Sequence, residues 1–386
     1  MNNFIFENRT RVYFGRGCVK EYLASLVRNY ETVMLAYGRG SIKKNGIYDE
    51  LLYILQKEGK TIVEFSGITP NPTYEKAMEG IRLVRDKRAE LILGVGGGSV
   101  MDCCKAMALG AAYEGNWWKD YWERNGIIDF SVLPLGVIVT AEGSGSACNG
   151  TSVLVKGKKK IGRDYEKCSP VFALIDPVYT FSESPAQVLA NGIASLSRVM
   201  EIYFSRPDED NVSDDLAEAL MKSIIRNLKK AAEDSENYEA RSNLLWASAL
   251  AKNRIIKVGK RGDFTCRQIE RQLEAHTGCL HGQDCAVLRP AYYRRLCGEQ
   301  PGKFARFAVN VWAAPAEGRT EEELAREGVQ ALTDFINGLG LPKNLRELGV
   351  KNTAALKQIA EECTSTAGSY REMGHEEILQ LLEECF

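Results

Sequence analysis

Two groups of residues have types and spacing suited to chemistry. The first is AELILGVGGGSVMDCCKAMA, residues 89–108, where an apolar run, Leu91 to Leu93, meets Gly96, Gly97 and Gly98 and then Ser99, Asp102 and Lys105. A strand that turns into a helix through bare backbone lets an anion approach exposed N–H groups and the positive end of the helix dipole. On these residues alone, a glycine-rich turn inside any α/β domain remains the competing reading. The second group lies in DFTCRQIERQLEAHTGCLHG, residues 263–282. Arg267 and Arg271 stand one helical turn apart on a shared face, with His281 downstream. Guanidinium groups so placed can grip carboxylates or phosphates through paired N–H donors.

The elements that must carry these residues follow from composition and pattern. The chain has 386 residues, 45% hydrophobic and 26% charged, enough for two cores. A net charge of -1 leaves no overall field, so neither nucleic acid nor a membrane surface is expected as a partner. The amino-terminal MNNFIFENRTRVYFG lacks a cationic segment followed by an apolar core, and no window approaches roughly 18 uninterrupted apolar residues. A cytoplasmic protein is expected. The eleven cysteines are scattered, with no paired CxxC spacing, and read as reduced structural thiols.

Residues 1 to 30 predict an opening strand pair and a helix. Strands then follow at Val33 to Tyr37, Thr61 to Phe65 and the glycine stretch, alternating with helices over 46–58 and 73–87. Two more apolar strands are expected at Leu133 to Thr140 and Val171 to Asp176, with a hairpin over 151–162 turning near Gly157. Alternation of this kind predicts a parallel, doubly wound sheet. Past Pro185 helical spacing takes over, as in 188–204, 213–234, 238–253, 321–339 and 353–364. The reading is therefore α/β followed by all-α, with a dinucleotide-binding domain over 1–180 and an all-helical domain over 181–386.

With that order in place, the chain resembles the iron-containing alcohol dehydrogenases, in particular their butanol-dehydrogenase-like branch. The resemblance rests on YGRGSIKKNG (37–46), FSGITPNP (65–72), GGGSVMDCCKA (96–106), IDP (175–177), MEIYF (200–204), HG (281–282) and FINGLGLP (335–342), in the family's order. It implies a Rossmann-like sheet followed by helices, the dehydroquinate synthase-like architecture. It further implies NAD(P)-dependent oxidation of alcohols or reduction of aldehydes, and a homodimer. The dinucleotide would lie across the carboxyl edge of the sheet, its pyrophosphate near Gly96, Gly97, Gly98 and Ser99, with Asp102, Asn71, Thr140 and Lys160 around it. An acid after the first strand of this segment would select NAD; the turn here is Gly38, Arg39, Gly40 and Ser41. NADP is therefore expected, with NAD possible and a merely solvated Arg39 as the plain alternative. One segment departs from the family: TAEGSGSACNG places Glu142 where a threonine is expected.

The resemblance also implies a divalent metal held by one aspartate and three histidines, and here the pattern breaks. Arg198 stands at one histidine position, and Ala194, or Ser195 if the segment is one residue short, at the aspartate. Arg267 stands at the next ligand position and Arg271 at the histidine that assists proton transfer, while His281 survives. His276 falls on another face and His375 lies far downstream. Arginine has no lone pair to donate, so no bound Fe or Zn is expected. Like charges packed together call for a counter-charge. Three readings follow. A metal-independent reductase could use Arg198, Arg267, Arg271 and His281 on an anionic small-molecule carbonyl substrate. A non-catalytic relative could bind a nucleotide or anion. The arginines could instead meet Glu201, Glu270 and Glu274 in a filled ion-pair network.

Overall fold

The computed structural model describes residues 2–386 apart from 142 and 158, so the departure at Glu142 lies outside the described residues. The strands are β1 (Arg11–Phe14), β2 (Thr32–Tyr37), β3 (Thr61–Phe65), β4 (Leu91–Gly96), β5 (Leu135–Val139), β6 (Thr151–Lys156), β7 (Lys159–Asp164) and β8 (Phe172–Ile175). Six of them form one sheet in the order β1-β8-β5-β4-β2-β3, every pairing parallel, and β6 with β7 forms the hairpin. β4 and β5 are buried along their whole length, which is why their apolar runs are continuous rather than alternating.

The expected opening strand pair is not found: among the described residues before β2, β1 is the one strand, and it joins β8 in parallel. Parallel partners must come from distant sequence, so no local pattern signals them. The chain divides into two compact units, Glu7–Glu183 and Ser184–Phe386, the latter joined by the amino-terminal residues up to Phe6. The Asn2 amide donates to the Gly259 carbonyl at 3.2 Å.

In the first unit the helices are α1 (Cys18–Val27), α2 (Ser41–Lys44), α3 (Ile47–Lys57), α4 (Tyr74–Lys87) and α5 (Gly98–Ala112). Thr73 starts α4 by accepting the Lys76 amide at 3.1 Å, as a good amino-terminal cap does. The second unit is helical: α6 (Pro185–Tyr203), α7 (Val212–Glu233), α8 (Tyr238–Lys252), α9 (Thr265–Thr277), α10 (Gln283–Leu296), α11 (Pro301–Trp312), α12 (Glu321–Gly338), α13 (Ala354–Glu361) and α14 (His375–Glu384). Its core joins apolar faces of α6, α7, α9, α10, α11 and α12, including Leu196, Met221, Ile269, Leu288, Phe304 and Leu332. No helix among the described residues is long and apolar enough to cross a membrane. All eleven cysteines are free thiols, ten of them buried.

Candidate functional site

The sheet order creates the first candidate site. β2 and β4 are neighbours, yet the chain leaves β2 toward β3 on one side and β4 toward β5 on the other, and the crevice at such a reversal opens beyond the strands' carboxyl ends. Two turns enter that crevice. Gly38, Arg39, Gly40 and Ser41 follow β2, with Arg39 exposed and Gly40 at φ 109°, a left-handed conformation that favours glycine. Gly97, Gly98 and Ser99 follow β4, where Gly97 precedes α5 with no side chain capping the helix. The first amides of α5 therefore lack an internal acceptor.

The glycines also have a packing role. A Cβ at Gly98 would lie 2.6 Å from the Ser144 Cβ, and one at Gly96 2.6 Å from the Val100 side chain. Thr140 closes the neighbouring edge, its amide donating to the Gly96 carbonyl at 3.1 Å. Asn71, exposed at φ 53°, precedes Pro72, whose carbonyl accepts the Val155 amide at 3.0 Å, and Lys160 is the cross-strand neighbour of Val155. Asp102 is turned toward the hairpin: it accepts the Ser146 hydroxyl at 2.8 Å and the Val153 amide at 3.2 Å.

Sequence reasoning gave Lys105 no role of its own, yet it is fully buried beneath this turn. Its ammonium donates to the Ser146 carbonyl and hydroxyl, both at 2.7 Å, and to the Thr151 carbonyl at 2.8 Å. Burial lowers its pKa to about 8, opposed by the nearby charge of Asp102. The aromatic run at 116–122 packs locally, with Trp117, Trp118 and Trp122 buried against one another.

The second site is built on α6, α9 and α10. Gly282 opens α10 at φ 110°, and a Cβ there would meet the Ala190 carbonyl oxygen at 1.9 Å, so only glycine lets this turn seat against α6. That close approach places His281 beside the arginines. Arg198 and Glu201, three apart on α6, pair at 2.6 Å. The Nη1 of Arg267 lies 2.9 Å from Glu274, 3.4 Å from Glu270 and 2.7 Å from Nδ1 of His281. Arg289, fully buried on α10, bridges Glu201 and Glu270 and so ties the three helices together.

The charges of Arg267, Arg198 and Glu201 all act on Arg271. Arg198 and Arg267 find carboxylates inside the protein. Arg271 is the exception. It is exposed and makes no hydrogen bond or ion pair among the described residues, and partial burial together with Arg267 and Arg198 lowers its pKa to about 10. It remains a cation at neutral pH. Burial acts to raise Glu201, but Arg198, Arg289 and Arg267 outweigh it and hold the carboxyl near 2. Glu270 is likewise lowered against its burial by Arg289 and Arg267. Asp284 is raised by burial while accepting the Gly282 amide at 2.8 Å and the Cys285 amide at 2.7 Å.

Since a guanidinium N–H only donates, the Arg267 contact makes Nδ1 of His281 the acceptor and puts the imidazole proton on Nε2. That Nε2, with Nε of Arg198 and Nε of Arg267, is buried and has no hydrogen-bond partner among the described residues. Neither register of the aspartate position supplies a ligand: Ala194 is buried, and the Ser195 hydroxyl is bonded to the Asn191 carbonyl at 3.0 Å. His276 is exposed and contacts the Gln272 carbonyl at 3.0 Å. Sequence reasoning missed Arg289 and Asp284. A charged residue inside the apolar spacing of α10 was the available signal for Arg289.

The family profile for iron-containing alcohol dehydrogenase matches residues 9–177, and the carboxy-terminal profile of the same family matches residues 188–386. The chain belongs to the iron-containing alcohol dehydrogenase family. It is 33% identical to NADH-dependent butanol dehydrogenase A of Clostridium acetobutylicum over 393 aligned positions, covering 100% of both chains. It is 32% identical to the NADPH-dependent aldehyde reductase YqhD of Escherichia coli, covering 95% of each. The crystal structure of NADH-dependent butanol dehydrogenase A from Thermotoga maritima superposes with a TM-score of 0.91 at 30% identity, covering 100% of this chain and 99% of that one. Membership in the butanol-dehydrogenase-like branch places the chain among NAD(P)-dependent oxidoreductases of alcohols and aldehydes.

The family's two non-protein groups fit this chain differently. The uncapped start of α5 and the bare backbone of Gly97 and Gly98 suit a pyrophosphate. A divalent metal does not fit beside His281, because Arg267 already presents a permanent cation to the same histidine nitrogen and to Glu274.

Proposed function

We propose that this protein is an NADPH-dependent reductase of aldehydes bearing an anionic group, acting without a metal and also able to run as an alcohol dehydrogenase. The observation that carries the reading is Arg271, which among the described residues pairs with no acid, unlike Arg198, Arg267 and Arg289. The cofactor, when bound, supplies the hydride to the carbonyl carbon. Gly97, Gly98 and Ser99 hold its pyrophosphate, and Gly38, Gly40 and Ser41 line the neighbouring turn. Arg39 favours a 2'-phosphate because the turn after β2 holds no acid to repel it. Arg271 pairs with the substrate's acidic group, and the guanidinium field of Arg198 and Arg267 steadies negative charge developing on the carbonyl oxygen. The Nε2–H of His281 donates a hydrogen bond toward the carbonyl oxygen, and solvent supplies the proton that completes the alcohol.

Charge balance around Arg198, Arg267 and Arg289 favours one second reading, a nucleotide-binding relative with no turnover. Titration with NADPH and NADH followed by an aldehyde screen separates the two. Binding of neither cofactor at millimolar concentration defeats both. Arg271→Ala is expected to raise KM for acidic aldehydes about tenfold or more while leaving neutral ones nearly unchanged. Equal losses for both would remove the anion-binding role. A cytoplasmic homodimer is part of the same proposal, resting on the free buried thiols and on family membership.

A further inference from the structure

The surroundings of Arg267 are those of a cation site whose cation is covalently attached. Glu274, His281 and Asp284 each offer one ligand atom, and these atoms lie within 4.8 Å of one another. The separations from His281 Nδ1 are 3.1 Å to Glu274 and 3.2 Å to Asp284. Ligands bound tetrahedrally at about 2.1 Å stand about 3.4 Å apart, so these spacings need little adjustment to hold a divalent ion. Cys285 Sγ approaches the same nitrogen at 3.7 Å. Into this group Arg267 directs Nη1, at 2.7 Å from His281 Nδ1 and 2.9 Å from Glu274.

We infer that the Arg267 guanidinium plugs a latent divalent-metal site made of Glu274, His281 and Asp284, so that the native chain excludes metal and loss of the guanidinium opens the site. This deepens the metal-free reading above and rests on it. The remaining charges do not change the account. Glu270 and Glu201 are held by Arg289, and Arg198 is paired with Glu201, so none of these needs the guanidinium as its sole partner. Removing it leaves Glu274, already partly exposed, and Asp284, which is buried and carries its own backbone donors. Two carboxylates and an imidazole without a cation form a hard-to-intermediate ligand set suited to Zn(II) or Fe(II).

The test uses metal content and needs no turnover. Native protein, Arg267→Ala and Arg267→Met are incubated with Zn(II), dialysed against metal-free buffer and analysed for zinc, with circular dichroism confirming the fold. The native protein is expected to retain less than about 0.1 equivalent and each variant about one, lost again when His281→Ala is added. Zinc retained stoichiometrically by the native protein and lost in His281→Ala alone would overturn the inference. So would folded Arg267 variants that retain none. If both variants fail to fold, the native measurement still decides whether metal is excluded. The metal-free reading of catalysis fails separately, through stimulation of native turnover by added Zn(II) or Fe(II).

Discussion

Arg267, Arg289 and Arg198 show how the second site solves a charge problem that their sequence positions pose but do not answer. Each of these guanidinium groups meets a carboxylate from a neighbouring turn or helix, and breaking one side would leave the other charge uncompensated. Glu201 makes this measurable through pH. Its carboxyl falls from an ordinary 4.5 to about 2 in the folded chain. A lowered acid stabilises the fold above its unfolded value and loses that contribution as pH falls toward the folded one. Thermal stability is therefore expected to decline between pH 4.5 and 2, with the decline shallower in Glu201→Gln. An identical slope in the two proteins would deny Glu201 this role. Glu201, Glu270 and Glu274 could be named as partners from helical spacing. Arg289 could not, because its acids come from two other helices.

At the scale of elements, the glycine stretch and the turn after β5 work as one piece. Lys105 holds Ser146 and Thr151 from below, and Ser144 rests on the bare backbone of Gly98. A methyl at Gly98 must push that turn away. Gly98→Ala is expected to weaken NADPH binding about tenfold and to cost about 1–3 kcal/mol of stability, read by cofactor titration and by thermal melting. Unchanged cofactor affinity in a folded variant would argue that the turn has no part in binding.

Most elements were readable because their periods are local: β3 matches its expected span, and α6 to α8 lie within three residues of theirs. Asp102 shows the limit. Its place in the glycine-containing stretch was evident, but whether its carboxylate faces a phosphate or the hairpin depends on residues 146 and 153. The acidic run at 208–215 shows it again. Asn211 caps α7 there, a local signal, while Asp214 is buried against Lys260 and Lys303 from distant sequence.

For the whole molecule, the amino-terminal segment bears on assembly. Phe4, Ile5 and Phe6 are 53%, 98% and 43% exposed, in a stretch that otherwise forms no regular structure. Adjacent apolar side chains left open to water favour burial against a second copy. Light scattering behind size exclusion is expected to give twice the 42.9 kDa chain mass, falling toward one chain when Phe4, Ile5 and Phe6 are replaced by serine. A native monomer would dismiss the homodimer.

Across the chain, the residue order alone carried the class of fold and the branch of the family. Each is a property of residues near one another in sequence or of motifs in a set order. The tertiary structure decided which charges are spent and which is left over. Arg198, Arg267 and Arg271 look equivalent when written in line, but burial and partners drawn from α6, α9 and α10 neutralise two and leave the third. Electrostatic pairing depends on distance and exposure in space, and the seating of α10 on α6 at Gly282 and Ala190 helps set both.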